Sequence, residues 1–177
     1  MEGRTARNLL VIMVKEPVPG TVNTRLTPPL PPVEAAALAQ CFLEDRLAEM
    51  SRIQGADLAI AYAPSTAGAV FAVHTRRRFR LFPQHSGDLG ARMQAIFTEQ
   101  IAAGYHHVCI IGTDSPDLPR SIVLESFRLL AATATDVVLG PAIDGGYYLI
   151  GMRRPLPLLF TDIPWGTADV LPITLAR

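Results

Sequence analysis

Apolar positions in this chain come in short runs whose spacing alternates between that of a buried strand and that of a helix. Residues 9–14, LLVIMV, are followed at once by Lys, Pro and Gly, which predicts a buried first strand opening into a loop. Residues 33–50 predict a helix in which Leu38, Cys41 and Phe42 share a face, alanine is abundant and no proline interrupts. The PPLPP before it marks where that helix begins and requires no domain linker. DLAIAYA at 57–63 is a second strand. A second helix is expected from near Asp88 to near Gly104, with Leu89, Met93, Ile96, Phe97 and Ile101 as its inner stripe. HHVCII predicts a strand, and Val123, Phe127 and Leu130 mark a third helix after Pro119. DVVLG and YYLIG add two apolar segments on either side of Asp144. Alternating strands and helices make an α/β domain rather than a helical bundle.

Composition narrows this further. The 177 residues suit one domain, 49% apolar content permits a sizeable core, and 18% charged residues argue against disorder. Lys plus Arg and Asp plus Glu number 16 each, so no global field recommends nucleic acid or an anionic membrane as partner. RRRFR at 76–80 is a local exception, read as a solvated strand or turn face. Cys41 and Cys109 lack metal-ligand spacing and read as structural thiols. No apolar run reaches transmembrane length and MEGRTARNLL lacks a complete secretory signal, so a cytoplasmic protein without an integral membrane segment is expected.

The candidate chemistry lies where the predicted strands end. IIGTDSPDLP places Asp114 and Asp117 immediately beyond an apolar stretch, where open α/β sheets expose ligand-binding groups. A carboxylate there suits Mg²⁺ or Mn²⁺, because hard divalent ions favour oxygen ligands; Asp117 also suits a cap for the helix near Pro119. Thr113 and Ser115 offer hydroxyls for a ligand or a turn. In KEPVPGTVNTRL, Gly20 permits a tight turn while Lys15 and Arg25 place positive charge for phosphates, although the segment is neither a P-loop nor a dinucleotide fingerprint. In DGGYY, Gly145 and Gly146 permit close approach, and Asp144 suits orienting an acceptor, a base, a metal shell or an ordinary Asx-turn. Asp88 suits a helix cap whose neighbouring glycines admit a nucleobase or phosphate. Tyr147, Tyr148 and Trp165 suit packing or a pocket wall, and Asp169 suits the start of the last helix. The four histidines read as packing or exposed groups, His106 and His107 at a strand entrance and His74 and His85 in connections.

Taken in order, KEPVPGTVNTRL, SGDLGARM, IGTDSPDLP, GPAIDGGYYLIG and IPWGTADV resemble the motifs of DUF2064, a bacterial family of glycosyltransferase-A-like transferases, over most of the chain. The resemblance implies a three-layer α/β/α, Rossmann-like nucleotide-diphospho-sugar transferase fold with a mostly parallel or mixed central sheet. It extends to glycosyltransferases associated with arsenosugar biosynthesis and, more distantly, to small nucleotidyltransferases. It implies that Lys15 and Arg25 meet donor phosphates, with Gly20, Thr24, Asp88, Thr113, Gly145 and Gly146 completing the donor-binding set. Asp114 becomes the leading catalytic and metal-associated carboxylate, and Asp144 faces the acceptor or the metal.

Two departures stand out. Asn23 occupies a place where the family motif usually has Lys, and after DVLPITLAR the usual further strand and acidic turn are not present. The expected activity is metal-assisted transfer from a nucleotide sugar to a small acceptor by a monomer or homodimer. A nucleotidyltransferase releasing pyrophosphate and a noncatalytic nucleotide-binding protein are the alternatives.

Overall fold

The computed structural model describes residues 7–75, 78–132 and 134–177. Six strands, β1 (Asn8–Lys15), β2 (Asp57–Ala63), β3 (Arg80–Pro83), β4 (His107–Ile111), β5 (Val137–Pro141) and β6 (Tyr147–Met152), form one sheet in the order β3-β2-β1-β4-β6-β5. β1 pairs in parallel with β2 and with β4, and β2 pairs in parallel with β3. β6 runs against both β4 and β5. The sheet is therefore mixed, with one reversed strand, as the α/β/α expectation allows.

Burial on both faces explains the unbroken apolar runs. In β1, Leu10 and Ile12 join one core while Leu9 and Val11 join the other. The first core is closed by α1 (Pro32–Met50), α2 (Gly68–Thr75) and α4 (Arg120–Ala131), through Leu43, Leu47, Phe71, Val123, Phe127 and Leu130. The second is closed by α3 (Leu89–Ala102), with Met93, Ile96 and Phe97, and by a 3₁₀ turn at Pro157–Phe160. A short α5 spans Val170–Leu175. No helix among the described residues is long and apolar enough to cross a membrane.

Several local expectations need correction. The buried face of α1 is Ala35, Ala36, Leu43, Leu47 and Met50; Cys41 is exposed, and Leu38 and Phe42 are half-buried on a flank. Leu89 sits at the rim, 45% exposed, because it lines a cavity and not the core, and Gly90 is buried there instead. α2 was not foreseen, and it places His74 in a helix rather than a connection. Of RRRFR, Arg76 and Arg77 lie outside the described residues, as does the opening 1–6; Phe79 is buried and Arg80 begins β3, its guanidinium donating to Tyr105 Oη at 3.0 Å. Asp169 stands at the start of α5 but its side chain makes no capping hydrogen bond.

The turn before α4 is also held differently from expectation. Pro119 occupies the cap position without a side-chain cap, and Glu49 of α1 reaches across to accept from the Arg120 backbone amide at 3.2 Å and from its guanidinium at 3.1 Å. Beside it, fully buried Arg46 donates to the Leu118 carbonyl at 2.7 Å. Burial pushes the Arg46 guanidinium down, opposed by Asp117 and Glu49. Two residues of α1 thus hold the end of the 112–119 loop from behind.

A long-range cap of this kind makes a pH-dependent contribution to stability. The Arg120 amide, then its charge, holds the Glu49 carboxyl below its ordinary value near 4.5. The stabilisation is full above that value and is lost as pH falls through the lowered one. Glu49→Gln keeps an acceptor for the Arg120 amide and removes only the charge, so it should cost about 0.3–1 kcal/mol at neutral pH, the scale of a negative charge at a helix N-terminus. Urea unfolding of both proteins should show a gap that narrows in acid below the carboxylate range; an equal gap in both conditions would contradict the capping role.

Candidate functional site

The chain leaves β1 in one direction across the sheet and returns through β4 in the other, so the sheet order reverses between these neighbours. A cavity of about 1090 Å³ lies at this switch point, beyond the carboxyl ends of β1 and β4. Its lining comes from separate segments: Lys15 at the end of β1 and Thr24–Arg25 after it, Thr113–Ser115 after β4, and Asp144 and Gly146 before the reversed β6.

On the β1 side, Lys15 ends its strand exposed. The Thr21 amide and hydroxyl both donate to the Val18 carbonyl, at 3.0 and 2.9 Å, closing a turn whose left-handed position, φ 80°, is Gly20. Asn23 is itself left-handed, φ 50° and ψ 33°, and its amide nitrogen donates to the Ala35 carbonyl at 3.4 Å. Asparagine tolerates that left-handed backbone better than most residues. Arg25 is exposed and donates to the Gly166 carbonyl at 3.2 Å.

Across the cavity, Asp114 is exposed immediately beyond β4, flanked by Thr113 and Ser115, while Asp117 is not among the lining residues. Asp144 is exposed; its Oδ1 accepts from the Gly146 amide at 3.0 Å in an Asx-turn, which leaves Oδ2 outside that bond. Among the described residues no group of three or more His, Cys, Asp or Glu side chains gathers as a metal cage. Asp114 and Asp144 offer only carboxylate oxygens.

Gly20, Asp88 and Gly145 are not among the lining residues. Asp88 caps α3, accepting from the Ala91 amide at 2.8 Å. Gly145 has φ 88°, and a Cβ on it would come within 2.2 Å of the Ala168 carbonyl oxygen. Neither glycine beside Asp88 lines the cavity; a Cβ on Gly90 would lie 2.8 Å from the Trp165 ring.

The structure adds Gln84 and Arg92, which sequence reasoning missed. Gln84 donates to the Val14 and Ala61 carbonyls at 2.9 and 2.8 Å, joining the ends of β1 and β2, and its Oε1 accepts from Arg92 at 3.4 Å. Arg92 also donates to the Gly87 carbonyl at 2.9 Å. SGDLGARM contained Arg92 one helical turn after the Asp88 cap; nothing local marked Gln84.

Aromatic residues close the β6 side, where Tyr147 meets Trp165 edge to face with centroids 6.3 Å apart. Burial pushes the Tyr147 phenol up to about 12, against a smaller effect of the Thr174 hydroxyl, so it remains neutral and serves as a wall rather than a base. No histidine is among the lining residues. His107 begins the central strand β4, at the end of the sheet away from the cavity, its Nδ1 2.8 Å from Asn8 Oδ1, and burial pushes its imidazole down.

Residues 46–167 match the family described as "Uncharacterized protein conserved in bacteria (DUF2064)". No curated protein matches the chain. Among solved structures, a "putative nucleotide-diphospho-sugar transferase" from Desulfovibrio desulfuricans G20 is similar at 35% identity and TM-score 0.87, covering 96% of this chain and 74% of that one. A cytidylyltransferase from Leptospira borgpetersenii serovar Hardjo-bovis is similar at 10% identity and TM-score 0.64, with coverage of 98% and 72%. A 4-diphosphocytidyl-2C-methyl-D-erythritol synthase from Anaerococcus prevotii is similar at 10% and 0.59, with coverage of 98% and 85%. These last two likenesses concern the fold alone.

The contact of Trp165 with α3 predicts a steric result. Gly90→Ala should displace the indole, destabilise the protein by about 1–3 kcal/mol as overpacking does, and shift tryptophan emission to the red. Unchanged stability and emission would show that the ring does not depend on this contact.

Proposed function

Because the chain belongs to the DUF2064 family and carries the fold of the nucleotide-diphospho-sugar transferases, we propose that it transfers a sugar from a nucleotide-diphospho-sugar to a hydroxyl of a small acceptor, with Mg²⁺ or Mn²⁺. The observation that carries this reading is one cavity at the switch point that collects Lys15 and Arg25 from one segment and Asp114 and Asp144 from two others. Cations there suit a diphosphate, and carboxylates facing them suit a metal and an attacking hydroxyl. The solved structure similar at 35% identity, described as a "putative nucleotide-diphospho-sugar transferase", supports the same assignment.

A hard divalent ion fits this donor set, since such ions are commonly held by one or two carboxylates together with substrate phosphates and waters rather than by an all-protein cage. Asp114, with Asp144 as the second carboxylate, would hold it, and its charge would neutralise the departing diphosphate. Lys15 and Arg25 position the donor phosphates and stabilise negative charge as the bond to the sugar breaks. Thr24, Thr113 and Gly146 complete the wall around the donor, while Gly20, Gly145 and Asp88 act from behind by setting the loops and α3. Asp144 accepts a hydrogen bond from the acceptor hydroxyl and orients it. The acceptor oxygen bonds to the anomeric carbon, the carbon–oxygen bond to the diphosphate breaks, and the hydroxyl proton leaves through Asp144 to solvent.

Substitution separates these roles. Asp114→Ala should lower kcat by about 10²–10³, the scale of losing one electrostatic stabiliser in a transfer site, while Lys15→Ala should mainly raise the KM for the donor. Product formation unchanged by Asp114→Ala removes that residue from the mechanism. The released product tests the reaction class: a nucleoside diphosphate accompanies sugar transfer, whereas acceptor-dependent pyrophosphate would replace this reading with nucleotidyl transfer. Donor binding without turnover across acceptors would instead identify a noncatalytic nucleotide-binding protein.

A further inference from the structure

One late segment, residues 164–171, touches three places around the cavity, the start of α3, Arg25 and the turn after Asp144, and a glycine stands at each contact. Trp165 packs on Gly90 at the start of α3, where an added Cβ would lie 2.8 Å from the ring. The Gly166 carbonyl accepts from the Arg25 guanidinium at 3.2 Å, with Gly166 itself at φ 85°. Ala168 lies against Gly145 so closely that a Cβ there would reach its carbonyl oxygen at 2.2 Å, and the Leu171 amide donates to the Gly145 carbonyl at 2.8 Å. Arg25 is a donor-side cation, and Gly145 immediately follows the acceptor-side Asp144. The two sides of the cavity are therefore fastened to the same eight-residue segment.

We propose that residues 164–171 form a positioning strap that fixes Arg25 and Asp144 relative to one another, with Gly145 and Gly166 as its positioning residues. The proposal rests on the donor and acceptor roles given above, but the mechanical coupling it asserts is independent of them. Gly166–Asp169 are exposed, but the segment is bonded to itself: the Thr167 amide and hydroxyl donate to the Pro164 carbonyl at 3.2 and 2.9 Å, and Thr167 Oγ1 accepts from the Asp169 amide at 3.3 Å, so a change at the Gly145 seat is carried along these bonds to Gly166. Occupation of Arg25 by an anion acts in the reverse sense, because the guanidinium then divides its donors between the anion and the Gly166 carbonyl. Neither glycine contacts substrate in this account; both act through Arg25 and Asp144.

The strap carries the chain's single tryptophan, which supplies the readout. Arg25→Met, an exposed substitution, and Gly145→Ala should each shift Trp165 emission to the red in ligand-free protein that still unfolds cooperatively. In wild type, magnesium pyrophosphate, a probe of the phosphate-binding side alone, should change the emission and lose that effect in Arg25→Met. Gly145→Ala, although on the acceptor side, should weaken pyrophosphate binding by about tenfold, within the usual range for coupled neighbouring sites. A double-mutant cycle between Arg25→Met and Gly145→Ala should be non-additive in Trp165 emission. Emission unmoved by Arg25→Met, or additive effects in that cycle, would overturn the strap; should Gly145→Ala not fold, Leu171→Pro, which removes the amide bonded to the Gly145 carbonyl from the first turn of α5, enters the cycle in its place. Failure of wild type to bind pyrophosphate would count against the donor site, while ligand-free emission would still decide the coupling.

Discussion

Parallel pairing of β1 with β4 is the constraint on which the rest depends. Both strands are buried on their two faces, so their register is strongly specified: a slip by one residue would move each side chain into the opposite core. With Ile12 opposite Ile111, the loop carrying Asp114 departs while β1 continues through Met13 and Val14 to Lys15. On the other side, the register of β1 with β2 leaves Gln84 able to bind the ends of these strands together. A core-packing requirement thereby determines which charged residues meet at the mouth of the sheet. Fixing the loops themselves falls to contacts from elsewhere, Arg46 behind the Asp114 loop and residues 164–171 beside Asp144.

That division explains what could be read from the sequence. LLVIMV and HHVCII were legible as strands because two-sided burial leaves a nearly unbroken apolar run, and the Asp88 cap was legible because its partner is only three residues away. GAVFAVHT escaped notice because eight residues give too short a window for helical periodicity, and Phe71 alone carries its deep packing toward the sheet. Leu89 fits the helical stripe in sequence yet lies at the rim, since spacing fixes a direction around the helix and says nothing of where the neighbouring layer ends.

At the site, motif reading found Lys15, Arg25, Asp114 and Asp144, which the structure gathers around one cavity, and missed the charge of Arg92. It could not find what holds them. Glu49 caps the helix that Asp117 was expected to cap, and the Gly90–Trp165 and Gly145–Ala168 contacts join residues distant in sequence. No local pattern encodes such pairings; they arise only once the sheet has brought loops together. Asn23 likewise could not be read as a left-handed backbone position from its neighbours in sequence.

The reversed strand β6 has an evolutionary implication. Because β6 runs against β5, Asp144 sits on a hairpin turn rather than on a crossover between parallel strands, and hairpin turns ordinarily accept insertions and exchanges at small cost. Here the turn is seated against Ala168 through Gly145, so that freedom is curtailed. A descendant protein adapting to a new acceptor would have to alter both pieces in concert, and single steps through either alone would meet strong epistasis.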